Sequence, residues 1–232
     1  MTETSRDKPT PKLDIVIPVY NEGDAIYAAL DSFLDHVRTP FRVLICYDHD
    51  DDTTVAALPE YPRRDEVEVV LVKNRGRFAH GAVMTGLAES TAPYVLTFPA
   101  DDDYNAPNID PMVELADDGC DVVCASRFIK GGCMKGAPLL KGTLCRWGNW
   151  VLCHAGRIPA ADASNGLRLF ARRVFEQIEI ESDSGFCYSI ELLAKTHRLG
   201  WRIGQVPVQW YERTQGTSRF RVLKWLPAYG RW

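Results

Sequence analysis

"YVLTFPADDD" (residues 94–103) runs from an apolar, strand-like segment directly into three consecutive aspartates. Aromatic and β-branched residues in a short run suit a buried strand. Carboxylates this close repel one another, so something must offset them: a solvated turn, a cap for a following helix, or a hard cation. One aspartate is enough for a cap; three exceed that need.

The same pattern recurs on either side. "LDIVI" (13–17) gives way to "YNEGD", "FRVLIC" (41–46) to "DHDDD", "VEVVLV" (67–72) to "NRGR", and "DVVCA" (121–125) to "SRF". Between these runs Ile26, Leu30, Phe33, Leu34 and Val37 recur at helical spacing. A short helix is expected from Thr53, a small-residue helix ending near Ser90, and another starting near Asn108. Strands alternating with helices predict a mostly parallel α/β sheet, covered on both faces, with right-handed crossovers. Ligands in such sheets bind outside the carboxyl ends of the strands. Five polar strand ends turned to one edge therefore describe a site. Past residue 130 come a Gly-rich loop, helices and a late strand in "WRIGQVPVQW" (201–210).

The bulk numbers exclude several classes. At 232 residues and 46% hydrophobic the chain can bury a full core, and a net charge of −4 argues against a nucleic-acid-coating surface. The polar start "MTETSRDKPTPK" has no signal-peptide core, and no uncharged run reaches membrane-spanning length. The expectation is a cytoplasmic or peripheral protein with residues 1–12 as a disordered tail. Seven scattered cysteines without a C-x-x-C pair do not suggest zinc; Cys46 and Cys124 read as small buried hydrophobes. His80 and His154 lack metal-ligand partners nearby in sequence and read as structural.

In "DHDDD", Asp48, Asp50 and Asp52 have the alternation that opens a calcium loop, but Thr53 and Pro59 occupy the positions that need Gly and Glu. Asp50 and Asp52 read instead as helix caps, leaving Asp48 as a base or ribose contact. Asp101 and Asp103, alternate residues of an extended segment, point the same way and could share one divalent ion. Arg75, Arg77, Arg127 and Arg213, all at loop ends, would suit a diphosphate beside that ion. There is neither a Walker lysine motif nor G-x-G-x-x-G.

In this order and spacing, the motifs resemble the family-two glycosyltransferases of GT-A (Rossmann-like) fold, nearest to the dolichyl-phosphate mannose synthase-like branch that glycosylates polyprenyl phosphates. The likeness spans about residues 13–220, and a single domain is placed at 13–218. "IVIPVYNEGDAI" resembles the family's opening strand and nucleotide loop, which implies Pro18, Tyr20 and Glu22 in a donor pocket with Asp48 and Ala100. "SRFIKGG" (126–132), "DASNGLR" (162–168) and "VPVQWYERTQGTS" (206–218) match later motifs. They imply Arg127 and Asp162 as catalytic together with Asp101, Arg127, Lys141 and Arg168 toward the acceptor, and Arg213 and Ser218 toward the donor. The family's metal motif D-A-D reads "PAD" here, with Pro99 in the first acid's place; Asp101 keeps the second and Asp103 supplies the missing oxygen. Lys141, Cys145 and Asn149 keep the spacing of the family's R-x-x-x-S-x-x-x-N, and Gln205 stands where Glu is usual.

The implied reaction is an inverting transfer of a hexose from a GDP- or UDP-sugar, assisted by Mg2+ or Mn2+. A polyprenyl phosphate acceptor needs no base; a hydroxyl acceptor does, and Asp162 is then the candidate. A nucleotidyltransferase is disfavoured by "PVYNEGD" where its Gly-rich basic loop belongs, while a non-catalytic nucleotide-sugar binder stays open. The late strand is expected to cover the acceptor side. "RFRVLKWLPAYGRW" (219–232) interleaves cations with aromatics, which suits either a membrane-surface contact or a tail packed on the domain or used for oligomerisation.

Overall fold

The computed structural model describes residues 10–137 and 139–211, and of residues 139–141 only the backbone. The element order is β1 (Leu13–Pro18), α1 (Ile26–His36), β2 (Phe41–Tyr47), α2 (Thr53–Ala57), β3 (Val69–Lys73), α3 (Phe78–Glu89), β4 (Tyr94–Thr97), α4 (Ile109–Asp117), β5 (Val122–Ser126) and β6 (Cys133–Lys135). It continues with α5 (Leu139–Ala155), β7 (Arg168–Ala171), α6 (Arg172–Gln177), α7 (Cys187–Arg198), β8 (Ile203–Pro207) and β9 (Gln209–Tyr211). Lys12, expected in the tail, is already tied to the domain through Pro40 O and Asp117.

Seven strands form one sheet in the order β3-β2-β1-β4-β7-β5-β8. Strands β1 to β4 are parallel, as the sequence pattern predicts. The fifth strand is not the neighbour of the fourth. β7 lies between them and runs antiparallel to both, pairing Thr97 with Arg168 on one side and Cys124 with Arg168 on the other. The late segment also differs from expectation. β8 is a parallel edge strand of the main sheet beside β5, and only β9 leaves it to pair with β6 in a small ribbon.

Alternate strand residues fill two cores, so both faces are covered. Leu13, Ile15 and Ile17 of β1 pack with residues of α1 and α4, while Val16, Leu44 and Cys46 face α3, α6 and α7. α3 lies close to the sheet because Gly86 carries no side chain: a Cβ there would sit 2.5 Å from Val16 Cγ1. Cys46 and Cys124 are fully buried, and burial pushes the Cys46 thiol up to about 12. The cysteines are all reduced.

At the amino edge of the sheet, fully buried Asp14 accepts from Arg42 Nε and Nη2 (both 2.9 Å), Ser90 Oγ (2.7 Å) and the Thr91 and Ala92 N–H groups. Burial alone would raise the pKa of this carboxyl; Arg42 and the other donors outweigh it and leave it lowered. A depressed carboxyl contributes stability that is present above its unfolded pKa, about 3.9, and is lost as pH falls through the lower folded value. Asp14→Ala is expected to cost about 3–5 kcal/mol, since it strands a partly buried guanidinium and two amides. Urea denaturation across acidic pH checks this: the variant should lose the wild-type slope below about pH 4.

Candidate active site

The carboxyl ends of β1, β2, β3, β4 and β5 gather the polar segments along one edge. The loop after β1 is stitched to the start of α2. Asp52 caps α2 through Thr54 N (2.8 Å) and also accepts from Asn21 N (3.0 Å), while Glu22 N donates to Thr54 Oγ1. Asn21 takes a left-handed conformation (φ 56°) and accepts from Thr53 N through Oδ1, so the loop is cross-braced before any ligand arrives. Pro18 ends β1, Tyr20 is 46% exposed at the edge, and Glu22 is half-buried. Asp50 is not a cap: it is exposed and pairs with Lys73.

Asp48 is half-buried and accepts from Asn74 Nδ2 at 2.5 Å. Asn74, which sequence reading passed over, is the hub of the third strand end. Its Nδ2 also donates to Phe78 O, and its Oδ1 accepts from Gly76 N (2.8 Å). Gly76 and Gly81 touch backbone to backbone, since a Cβ on either would lie 2.8 Å from the other. Arg75 turns away from the edge to pair with Glu89 at the far end of α3, contrary to the expectation that it faces the carboxylates.

The acidic triplet is a turn rather than an extended segment. Its middle member points inward: Asp102, 8% exposed, accepts from Tyr104 N, Asn105 N (2.9 Å) and Asn105 Nδ2 (2.6 Å). Burial raises its pKa to about 6 against the pull of those hydrogen bonds. Asn105 in turn grips β9, donating to Gln209 O and accepting from Gln209 N. With Asp102 holding the turn, Asp101 and Asp103 are left on the exposed side of it, next to buried Ala100. No cluster of three His, Cys, Asp or Glu side chains suited to a metal occurs among the described residues. Two hard oxygen donors on one turn fit Mg2+ or Mn2+ when phosphate oxygens and water complete the shell.

The antiparallel course of β7 brings residues 162–167 to this same edge. Asp162, fully buried, accepts from Arg127 Nε (2.6 Å), Arg127 Nη2 (2.9 Å), Arg127 N (3.1 Å) and Ser164 Oγ (3.2 Å). Asn149 of α5, 2% exposed, donates to Ser164 Oγ and accepts from Ser164 N, and Cys145 Sγ lies 3.7 Å from the same hydroxyl. Burial works against the charge on Arg127, but the Asp162 carboxylate more than restores it, and its pKa is raised. Both Asp162 oxygens are thus engaged by donors.

Arg168 does not reach the acceptor side. It is fully buried, and its guanidinium donates to the carbonyls of Ser189, Ala163 (3.1 Å) and Asn165 (3.2 Å). It braces the 162–167 loop from beneath. Lys141 falls in the first turn of α5, but its side chain, like Arg213, Ser218 and the 219–232 segment, lies outside the described residues. Gln205 accepts from Ala161 N through Oε1 (2.8 Å), steadying the approach to Asp162. His80 is buried against Tyr188, in keeping with a structural role, whereas His154 is exposed and stacks on Trp150.

The sequence profile of Glycosyl transferase family 2 matches residues 14–179. Among characterised relatives, a dolichyl-phosphate hexose transferase of Haloferax volcanii is 28% identical, with 94% of this chain and 89% of that protein aligned. A polyprenol monophosphomannose synthase of Mycolicibacterium smegmatis is 23% identical over 94% of this chain and 88% of its own length. The fold is shared with glucosyl-3-phosphoglycerate synthase of Mycobacterium tuberculosis, solved with Mn2+, UDP and glucosyl-3-phosphoglycerate: TM-score 0.66, 20% identity, 97% of this chain and 77% of that one. A mannosyltransferase of Pyrobaculum calidifontis, solved with GDP-Man and Mn2+, superposes with TM-score 0.63 at 21% identity, over 90% of this chain and 58% of that one.

Proposed function

The chain belongs to Glycosyl transferase family 2, and from that membership we propose that it transfers a hexose from a GDP- or UDP-sugar to a polyprenyl phosphate at the cytoplasmic face of a membrane. The observation that carries the acceptor class is the saturation of Asp162. The carboxylate beside Arg127 already accepts four hydrogen bonds, so it is a poor place to deposit a hydroxyl proton. An acceptor phosphate is an anion on arrival and needs no base. Asp162 then serves as a positioning residue, fixing the guanidinium of Arg127 in one orientation.

On this reading the loop after β1, with Pro18, Tyr20 and Glu22, and the Asp48–Asn74 pair hold the nucleoside. Asp101 and Asp103 hold a divalent cation, which supplies positive charge to the diphosphate leaving group. Ala100, small and buried at the start of that turn, is placed beside the diphosphate. Arg213 and Ser218 are assigned to the donor by their motif alone. Arg127, held by Asp162 and Ser164, orients the acceptor phosphate with Lys141. Ser164 and Asn149 lock that arrangement.

Radiolabelled transfer tests the reading. Label from a GDP- or UDP-hexose should appear on a short polyprenyl phosphate and not on the matching free prenol; transfer to the prenol or to a sugar hydroxyl overturns it. Arg127→Ala should lower transfer by about a hundredfold, the scale of a lost charge-stabilising contact, with nucleotide affinity kept. Arg213→Ala should instead weaken nucleotide binding. Equal loss of nucleotide binding in both variants would show that Arg127 belongs to the donor half.

A further inference from the structure

We propose that Phe78 stacks on the base of the donor nucleotide, so that Asp48, Asn74 and Phe78 form one base-holding unit. The first observation is the cost of this residue where it stands. Phe78 opens α3 with φ 57°, in the left-handed region that a bulky side chain rarely adopts. It is also 78% exposed, more than any other large apolar side chain among the described residues. A strained backbone and a bare aromatic both work against folding, and a glycine would avoid the two together. Strain of this kind persists where the surroundings impose it, and it clusters at sites that hold ligands.

The second observation is what imposes the strain. The turn from β3 into α3 is closed at two points. Gly76 lies against Gly81, with room for a Cβ on neither. Asn74 spans the turn, accepting from Gly76 N (2.8 Å) and donating through Nδ2 to Phe78 O (3.2 Å). The same Nδ2 donates to Asp48 Oδ1 at 2.5 Å. One amide therefore fixes both a carboxylate beyond the end of β2 and the backbone that carries the exposed ring. The two groups are complementary toward a nucleobase. Uracil and guanine present a ring N–H that a carboxylate accepts, and both present a flat π-face that an aromatic ring covers. Adenine and cytosine offer a lone pair at that ring position, which a carboxylate repels. The proposal rests on the reading that Asp48 and Asn74 hold the nucleoside, and it adds the residue that covers the base.

Titration calorimetry of the full chain with UDP, GDP and pyrophosphate, each with manganese, tests this. Phe78→Ala should weaken UDP and GDP about tenfold, the scale of one lost base–aromatic stack. Pyrophosphate should bind as before, because only the nucleotides carry a base. Phe78→Tyr should stay within about twofold of wild type, since the ring face is kept. Phe78→Gly should lose the same nucleotide affinity yet melt at or above the wild-type temperature, because glycine takes the left-handed conformation without strain. Phe78→Trp should keep affinity and add an indole emission that UDP quenches, beyond any change seen in wild type. Unchanged UDP and GDP affinity in Phe78→Ala overturns the proposal. So does an equal loss for pyrophosphate, or a glycine variant that melts lower, since the ring would then serve the fold. Asp48→Ala distinguishes a narrow failure from a wider one. If it weakens UDP and GDP while Phe78→Ala does not, the stacking alone falls. If neither variant affects them, the base lies elsewhere and the nucleoside reading falls as well.

Discussion

Asp101→Ala is expected to abolish the manganese-dependent part of nucleoside diphosphate binding and to lower turnover by roughly a hundred- to a thousandfold, the scale of losing a main charge-stabilising group. Asp101 retains the second acid of the family metal motif, and it sits at the exposed side of a turn whose shape Asp102 already holds. Removing it should therefore cost function without costing the fold. Asp103→Ala is expected to show a smaller loss, because Asp103 only substitutes for the oxygen that Pro99 cannot provide. Asp102→Ala should behave in the opposite way. It frees Asn105 and, through Asn105, the grip on Gln209, so thermal stability falls first and activity follows. Titration calorimetry with UDP and GDP, with manganese and with chelator, separates the three. Manganese-linked binding that persists unchanged in Asp101→Ala would sink the metal assignment.

The second large effect concerns Asp162. Asp162→Ala leaves a mostly buried guanidinium without its counter-charge, and breaking a buried pair from one side costs about 3–5 kcal/mol. Transfer should fall at least as far as in Arg127→Ala, while nucleotide affinity stays near wild type. The informative variant is Asp162→Asn, which keeps the shape and one acceptor oxygen. A positioning role predicts a reduced rate with the same pH profile. A general base predicts that the acidic limb of the profile disappears. A double-mutant cycle with Arg127→Met adds a stability readout: the pair should cost less together than the two single changes summed, because the stranded charge is gone. Additive losses would mean that the two side chains do not act as a unit.

These effects hinge on a part of the site that the chain order conceals. Four parallel strands, the helices between them and the polar groups at their carboxyl ends followed from local patterning, since apolar runs of strand length and helical spacing are properties of neighbouring residues. Asp52 as a cap, His80 as a buried group and Cys46 and Cys124 as core residues followed from residue chemistry in the same way. Asp50 was misread because capping depends on which of several acids reaches the first free amide, and only Asp52 does. Arg75 was misread because its partner, Glu89, lies at the other end of the next helix.

Local pattern was enough for an α/β sheet with acidic and basic strand ends, and for the DDD triplet following β4 at the carboxyl edge of that sheet. Which of the three aspartates turns inward is a matter of tertiary contacts. "GLRLF" (166–170) carries no signal that it will insert between β4 and β5, because strand partners across some seventy residues are chosen by sheet closure rather than by local pattern. Its antiparallel direction then delivers Asp162 to Arg127 and Arg168 to the buried carbonyls below. Likewise three identical side chains in a row become one buried clamp and two exposed carboxylates, because the N–H groups of Tyr104 and Asn105 turn in to Asp102.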